Sequence, residues 1–310
     1  MKLLLTGARG FIGSALCDSL DNCKSVKVFK VVRGNVQRSN DDIFYIDDLF
    51  TADWNSVLSS RDFDCVVHLA ALAHSQNIDS DKLFQTNTQA TIRLAKKAAE
   101  FGVSRFVFVS SIGVNGTSTD LIPFADNSIP SPHNEYAQSK YEAELGLKKI
   151  SDETGLEVVI VRPTLVYGPN APGNFGLLTK LVKQLPVLPF GLATNKRDFI
   201  AVQNLADLLV TCAVHPNAAG QTFLASDMET ISIKDFTNCI AEGLGKKVIQ
   251  LPIPVTLMRF LGRLTGKSVV IEQLFGNLQV NSSNLKEKLD WIPPYTMQQA
   301  MARLLNSGNN

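Results

Sequence analysis

The chain has 310 residues, 45% hydrophobic and 19% charged, with 30 Lys and Arg against 29 Asp and Glu. This is ordinary globular composition, long enough to bury a sizeable core, and a formal charge of +1 gives no electrostatic case for nucleic acid or an acidic membrane surface. The five cysteines are scattered with no C-x-x-C pair, which argues against a disulfide framework or zinc site and fits a reducing cytoplasm.

Taken in chain order, "KLLLT" is a short apolar run ended by a glycine, which suits a buried strand. A helical pattern follows from Phe11 to Leu20, then strands at "VKVFKVVR" and "IFYI", a helix at "DWNSVLSS" and a strand at "CVVHLAA". The stretch "DKLFQTNTQATIRLAKKAAEFG" reads as one long helix stopped by Gly102. Strand "RFVFVSS", a Pro-, Asn- and Ser-rich loop, a helix from "EYAQSK" and strand "LEVVIVRP" complete the alternation. Strands this apolar alternating with helices imply an α/β fold, a doubly wound parallel sheet of Rossmann type covered on both faces. After Pro163 the rhythm loosens, so we expect a dinucleotide-binding domain over 1–165 and a smaller, partly interleaved substrate-binding region over 166–310. No apolar run reaches the length of a membrane span. The nearest, "LPIPVTLMRFLGRL", is interrupted by Pro252, Pro254, Arg259 and Arg263 and reads as an amphipathic helix packed on the protein.

"TGARGFIGS" lies between the first strand and its helix, and Gly7, Gly10 and Gly13 space it as G-x-x-G-x-x-G around Phe11 and Ile12. A dinucleotide needs this: a tight turn, close approach of backbone to pyrophosphate, and close packing of helix on strand. The helix N-terminus adds free N–H groups and the positive dipole end. An acid at the end of the second strand would bind the ribose hydroxyl of NAD; here Arg33 and Arg38 stand instead, which suits the 2′-phosphate of NADP. Asp48, with Leu49 beside it, reads either as a contact to the adenine amino group or as a plain loop aspartate.

In "SPHNEYAQSKYEAEL" Tyr136 and Lys140 stand four apart, so a helix carries both on one face, about 5–6 Å apart at Cβ. An ammonium there favours the phenolate and lowers a phenol's pKa from about 10 toward the range useful at neutral pH. His68, inside a strand, reads as a packed, hydrogen-bonded histidine, and His74 as a loop residue near the pocket. No His, Asp and Glu cluster has metal-ligand spacing.

"TGARGFIGS", "VVHLAA", "VFVSSIGVNG", "PHNEYAQSK", "VRPTLVYGP", "RDFIAVQNLAD" and "LDWIPP" occur in the order in which the extended short-chain dehydrogenase/reductases carry such segments. The chain resembles the NAD(P)-dependent nucleotide-sugar epimerases and dehydratases of that group over nearly its whole length. The resemblance implies catalytic Ser111, Tyr136 and Lys140, with Lys140 also holding the nicotinamide ribose. It implies cofactor contacts from Leu69, Ala70, Ala71, Asn87 and Pro163, and substrate contacts from Ser111, Asn174 and Arg197. Three departures stand out: Asn115 replaces an aromatic residue, Ala73 stands where 4-epimerases carry a lysine, and Ile112 and Gly113 replace the Asp-Glu pair of dehydratases. The last argues against water elimination. The expected function is oxidation or reduction at carbon 4 of a nucleotide-linked sugar. A UDP-4-keto-6-deoxy-hexosamine reductase using NADPH in polysaccharide precursor synthesis leads. A UDP-sugar 4-epimerase with tightly bound NAD is the alternative, and a non-catalytic NADP-binding sensor a third reading. Many of the proteins it resembles dimerise through helices of the nucleotide domain, which makes the Asn87 and Tyr136 helices the candidate contacts of a homodimer, though helical period does not separate such contacts from core.

Overall fold

The computed structural model describes residues 1–21, 23–34, 41–73 and 79–305; Arg38 and His74 lie outside them. The strands are β1 (Lys2–Thr6), β2 (Lys27–Arg33), β3 (Ile43–Ile46), β4 (Cys65–His68), β5 (Arg105–Val109), β6 (Glu157–Pro163), β7 (Leu165–Tyr167), β8 (Val187–Leu188), β9 (Arg197–Ala201), β10 (Thr222–Ala225), β11 (Thr230–Ile231) and β12 (Ile249–Gln250). The α-helices are α1 (Phe11–Leu20), α2 (Trp54–Ser59), α3 (Ser80–Phe84), α4 (Ala90–Glu100), α5 (Glu135–Thr154), α6 (Gly173–Gln184), α7 (Val202–Val214), α8 (Ile233–Gly243), α9 (Val255–Leu264), α10 (Ser268–Phe275), α11 (Ser283–Leu289) and α12 (Met297–Ala302).

Seven strands form one sheet in the order β10-β6-β5-β4-β1-β2-β3, every neighbouring pair parallel. Successive residues feed opposite faces. Leu3, Leu5, Val107 and Val109 join one core with Leu16 of α1 and Leu205 and Leu209 of α7. Leu4, Phe106 and Phe108 join the other with Trp54 of α2, Leu94 of α4 and Leu147 of α5. Both sets are apolar because both faces are covered, which is why these strands read as continuous hydrophobic runs. Strand order reverses at β1, between β2 and β4, so a crevice opens there at the carboxyl ends of the strands.

The single long helix expected after residue 80 is instead α3, a π-helical turn over Gln85–Gln89, and α4, ended by Gly102 at φ +75°. Polar side chains in the wide turn bond elsewhere: Thr88 Oγ1 donates to the Ser139 carbonyl at 2.7 Å. Such tertiary bonds compensate the poorer backbone geometry, and hydrophobic period does not report them.

The later chain adds a three-stranded sheet, β11-β9-β7, and the small pair β12-β8. Tyr167, Phe175, Phe199 and Phe236 fill its core, with Phe199 and Phe236 stacked at 3.8 Å between centroids. From there the chain re-enters the large sheet, since α7 packs against α1 and β10 extends the sheet beside β6. Buried Asp227 ties the two parts: it accepts from Tyr167 Oη at 2.8 Å, from the Ala201 amide, and from Asn204 Nδ2 at 2.7 Å. Trp291 of "LDWIPP" donates its indole N–H to Asp207 at 2.7 Å.

Candidate active site

Parallel register brings the ends of four strands to one edge, with Thr6, His68, Phe108 and Ile160 side by side. The glycine loop follows Thr6. Gly7 has φ +73°, and a Cβ there would lie 2.8 Å from the Ala70 amide nitrogen. A Cβ on Gly13 would lie 2.1 Å from the Gly7 carbonyl oxygen. Backbone thus closes on backbone as a dinucleotide cradle requires. Gly10 caps α1 without a side-chain bond, and no acid stands in the first turn, which leaves Phe11, Ile12 and their neighbours with amides open to an anion. These residues fit a dinucleotide.

His68 is buried and both its ring nitrogens are bonded, to Thr6 Oγ1 at 2.7 Å and to Thr91 Oγ1 at 2.9 Å. Thr91 gives its own proton to the Asn87 carbonyl, so it must accept from His68 Nε2–H. Nδ1 is then bare and accepts from Thr6, whose oxygen takes the Ala70 amide at 3.3 Å. One chain of protons therefore runs from the loop carrying Leu69, Ala70 and Ala71 to the π turn. Burial, then the charge of Lys140, lowers the His68 pKa to about 3, so the ring is neutral. It is a structural histidine, as its strand position suggests. Asn87 is fully buried and clamps the same loop, accepting from the Leu72 amide at 2.8 Å and donating to the Leu72 carbonyl and Ser139 Oγ. Its bonds act on the loop that lines the crevice.

α5 starts at Asn134, whose side chain accepts from the Ala137 amide at 2.8 Å, and ends at left-handed Gly155. Its inner face carries Tyr136, Lys140 and Glu144. Lys140 Nζ donates to the Val109 carbonyl at 2.9 Å and sits 4.6 Å from the centre of the Phe108 ring. Burial lowers its pKa to about 7 against the opposing pull of Glu144. Glu144 is fully buried and forms a two-pronged pair with Arg162, at 2.9 and 2.5 Å, and Arg162 also donates to Asn115 Oδ1 at 3.0 Å. This buried set went unread in the sequence, although Glu144 follows Lys140 at the same four-residue spacing as Lys140 follows Tyr136. It also explains the departure at Asn115, which turns inward as a partner for Arg162. The expected lowering of the Tyr136 pKa is not observed: burial pushes the phenol up to about 12. The ammonium of Lys140 is directed at Val109 and Phe108 instead.

Ser111, at the end of β5, accepts the Gly113 amide at 3.1 Å, so its own proton is free to reach a ligand oxygen. Its neighbour Ser110 is buried, with Oγ unpartnered among the described residues. Pro163 closes β6 and is buried at the same edge. Arg33 is exposed at the end of β2. Asp48 accepts the Phe50 amide at 2.8 Å, and Leu49 packs on the α2 and α4 side of the core. Asn174 and Arg197 lie in the other part of the molecule and meet a common element. Asn174 is exposed, with Nδ2 3.4 Å from Gln273 of α10, while Arg197 donates to the Gly276 carbonyl at 2.9 Å. Burial lowers the Arg197 pKa to about 10, which still leaves it charged at neutral pH.

Residues 3–225 match the NAD dependent epimerase/dehydratase family. A UDP-glucose 4-epimerase of Vibrio cholerae is 40% identical over 304 residues, spanning 96% of this chain and 92% of its own. The solved UDP-glucuronic acid 4-epimerase of Bacillus cereus in complex with NAD superimposes with TM-score 0.78 at 21% identity, covering 99% of this chain and 96% of its own. RMD of Pseudomonas aeruginosa complexed with NADPH superimposes with TM-score 0.73 at 21% identity, covering 99% and 98%. The two structural likenesses bear out the Rossmann-type fold.

Proposed function

The chain belongs to the NAD dependent epimerase/dehydratase family, and from that premise we propose that it is a nucleotide-sugar 4-epimerase acting on a UDP-linked hexose. The observation that carries this reading is the 40% identity to the Vibrio cholerae UDP-glucose 4-epimerase across almost the whole of both chains. It moves the weight from the reductase, which leads on sequence alone, to the alternative.

A nicotinamide dinucleotide held by Gly7, Gly10, Gly13, Ala70 and Ala71 supplies a reversible hydride acceptor. Ser111 donates its free proton to the sugar's O4 and orients it. Tyr136 takes the O4 proton and later returns it. Lys140, with its pKa near 7, is partly protonated at neutral pH. The protonated form favours the phenolate once a ligand displaces its bond to Val109. Asn174 and Arg197 hold the diphosphate. Inversion at carbon 4 requires the keto-sugar to turn so that its other face would meet the bound nicotinamide while O4 stays within reach of Ser111 and Tyr136, which suits a substrate side held less tightly than the sheet edge. Ile112 and Gly113 offer no second acid and base, so elimination lacks a catalyst.

One observation favours the second reading, an NADPH-dependent 4-keto-sugar reductase: β2 ends in exposed Arg33, with no acid to meet a ribose hydroxyl. The test is to purify the protein without added cofactor, denature it and identify any released nucleotide, then incubate the native protein with UDP-glucose. Released NAD and UDP-galactose formed without added cofactor are expected. An empty protein that binds NADPH in preference to NADH and fails to convert UDP-glucose would overturn the epimerase.

A further inference from the structure

The segment "LPIPVTLMRFLGRL", expected to pack on the protein, does so only in part. Of α9 only Gly262 is buried, while Val255 and Met258 pack against the core around Tyr167 and Phe236 at its edge. Leu257, Phe260, Leu261 and Leu264, spaced as one helical stripe, face solvent, with Phe260 56% and Leu264 69% exposed. Val269 and Val270 of α10 continue the exposed apolar surface past the turn at Gly266. The pair is a firm unit: a Cβ on Gly262 would lie 2.6 Å from Ile271, and Arg259 bonds Glu272 through two contacts of 2.9 and 3.0 Å. Six large apolar side chains within fourteen residues are too many for a surface left to water.

Charge tells what covers them. Residues 255–275 hold Arg259, Arg263 and Lys267 against one acid, Glu272, which Arg259 pairs, so Arg263 and Lys267 leave the hairpin a charge of +2 in a chain whose total is +1. The other residues therefore sum to −1, and the exposed Arg263 and Lys267 make this apolar corner basic. A second copy of this chain would bring like charges together across a two-fold axis. An anionic lipid surface satisfies both features, taking the Leu and Phe side chains below the headgroups and the Arg and Lys among them. Neither helix is long enough to cross a bilayer, with ten residues in α9 and eight in α10. We infer that the α9–α10 hairpin is a docking surface on which the protein rests peripherally against an anionic bilayer. The surface continues into the substrate side of the site, since α10 carries Gln273 against Asn174 and leads to the Gly276 carbonyl held by Arg197.

The test is co-sedimentation of the full chain with vesicles of phosphatidylcholine alone or mixed with phosphatidylglycerol. Binding to the mixed vesicles that weakens with salt is expected. Arg263→Gln with Lys267→Gln should weaken it about 25-fold, from about fivefold per charge removed. Phe260→Ser with Leu264→Ser should abolish it with the thermal midpoint unchanged, since both side chains are exposed. A wild-type chain that stays in the supernatant overturns the inference, as does binding indifferent to both double variants. A dimer that Phe260→Ser with Leu264→Ser splits into monomers, without vesicle binding by the wild type, would make this face a self-interface and also overturn it.

Discussion

Lys140 and Asn174 both belong to the candidate site, yet the protein holds them differently. Lys140 is 2% exposed, bonded to a strand carbonyl, stacked on Phe108 and backed by the Glu144–Arg162 pair. Asn174 is exposed, and its side chain has one long contact, to an equally exposed glutamine. The contrast extends to their surroundings. Around Lys140, His68, Asn87, Ser139 and Arg162 are buried and each is hydrogen-bonded, His68 to Thr6 and Thr91, Asn87 to Ser139, and Arg162 to Glu144 and Asn115. Around Asn174 stands the hairpin whose apolar stripe faces outward. On the proposed reading, the groups that would move protons are set on the sheet, where position matters most. On the same reading, Asn174, which would grip the substrate, sits exposed with a single long contact.

The sharpest break is Glu144→Ala. It leaves the Arg162 guanidinium buried with only Asn115 for company, and losing one partner of a buried pair costs about 3–5 kcal/mol. Denaturant unfolding measures this; a loss below about 1 kcal/mol would show that the sheet edge is not held by the pair. A smaller effect is expected at the seam. Burial raises the Asp227 pKa to about 6 despite the bonds from Asn204, Tyr167 and Ala201 that lower it. The native state then keeps this proton when the unfolded chain, with an ordinary carboxyl near 3.9, has released it. Stability from this group is full below pH 4 and is lost as pH rises to about 6, by up to about 3 kcal/mol. Asp227→Asn should flatten that slope, read from unfolding midpoints across the same window; an unchanged slope would assign it to other carboxyls. The smallest effect is expected on the substrate side, where Gln273→Ala should change stability by no more than about 0.5 kcal/mol. A loss above 1 kcal/mol would mean that α10 is braced as firmly as the sheet and would erase the contrast.

Much of the fold is legible in local sequence because its causes are local. Alternating apolar strands and helices imply the parallel sheet, the three glycines mark the cradle, and Tyr136 and Lys140 share a face by helical period alone. The helix after residue 80 is where reading by period fails, since its π turn is stabilised by bonds from Thr88 and Asn87 to residues far along the chain. Asn115 looks like a lost substrate contact until Arg162, on another strand, is seen to take it as a partner. The sign of the Tyr136 shift is likewise tertiary. Spacing places an ammonium one turn away, but the Val109 carbonyl directs it elsewhere and burial then raises the phenol. The same holds for the hairpin: the sequence shows an amphipathic helix, and only the fold shows that its apolar face is turned out. Sequence by itself determined the elements, the glycine turn and the shared face of Tyr136 and Lys140, because each depends on neighbours within a turn or a strand. Tertiary structure decided the protonation, the partners of the buried charges and the exposure of α9, because each depends on groups that only folding brings together.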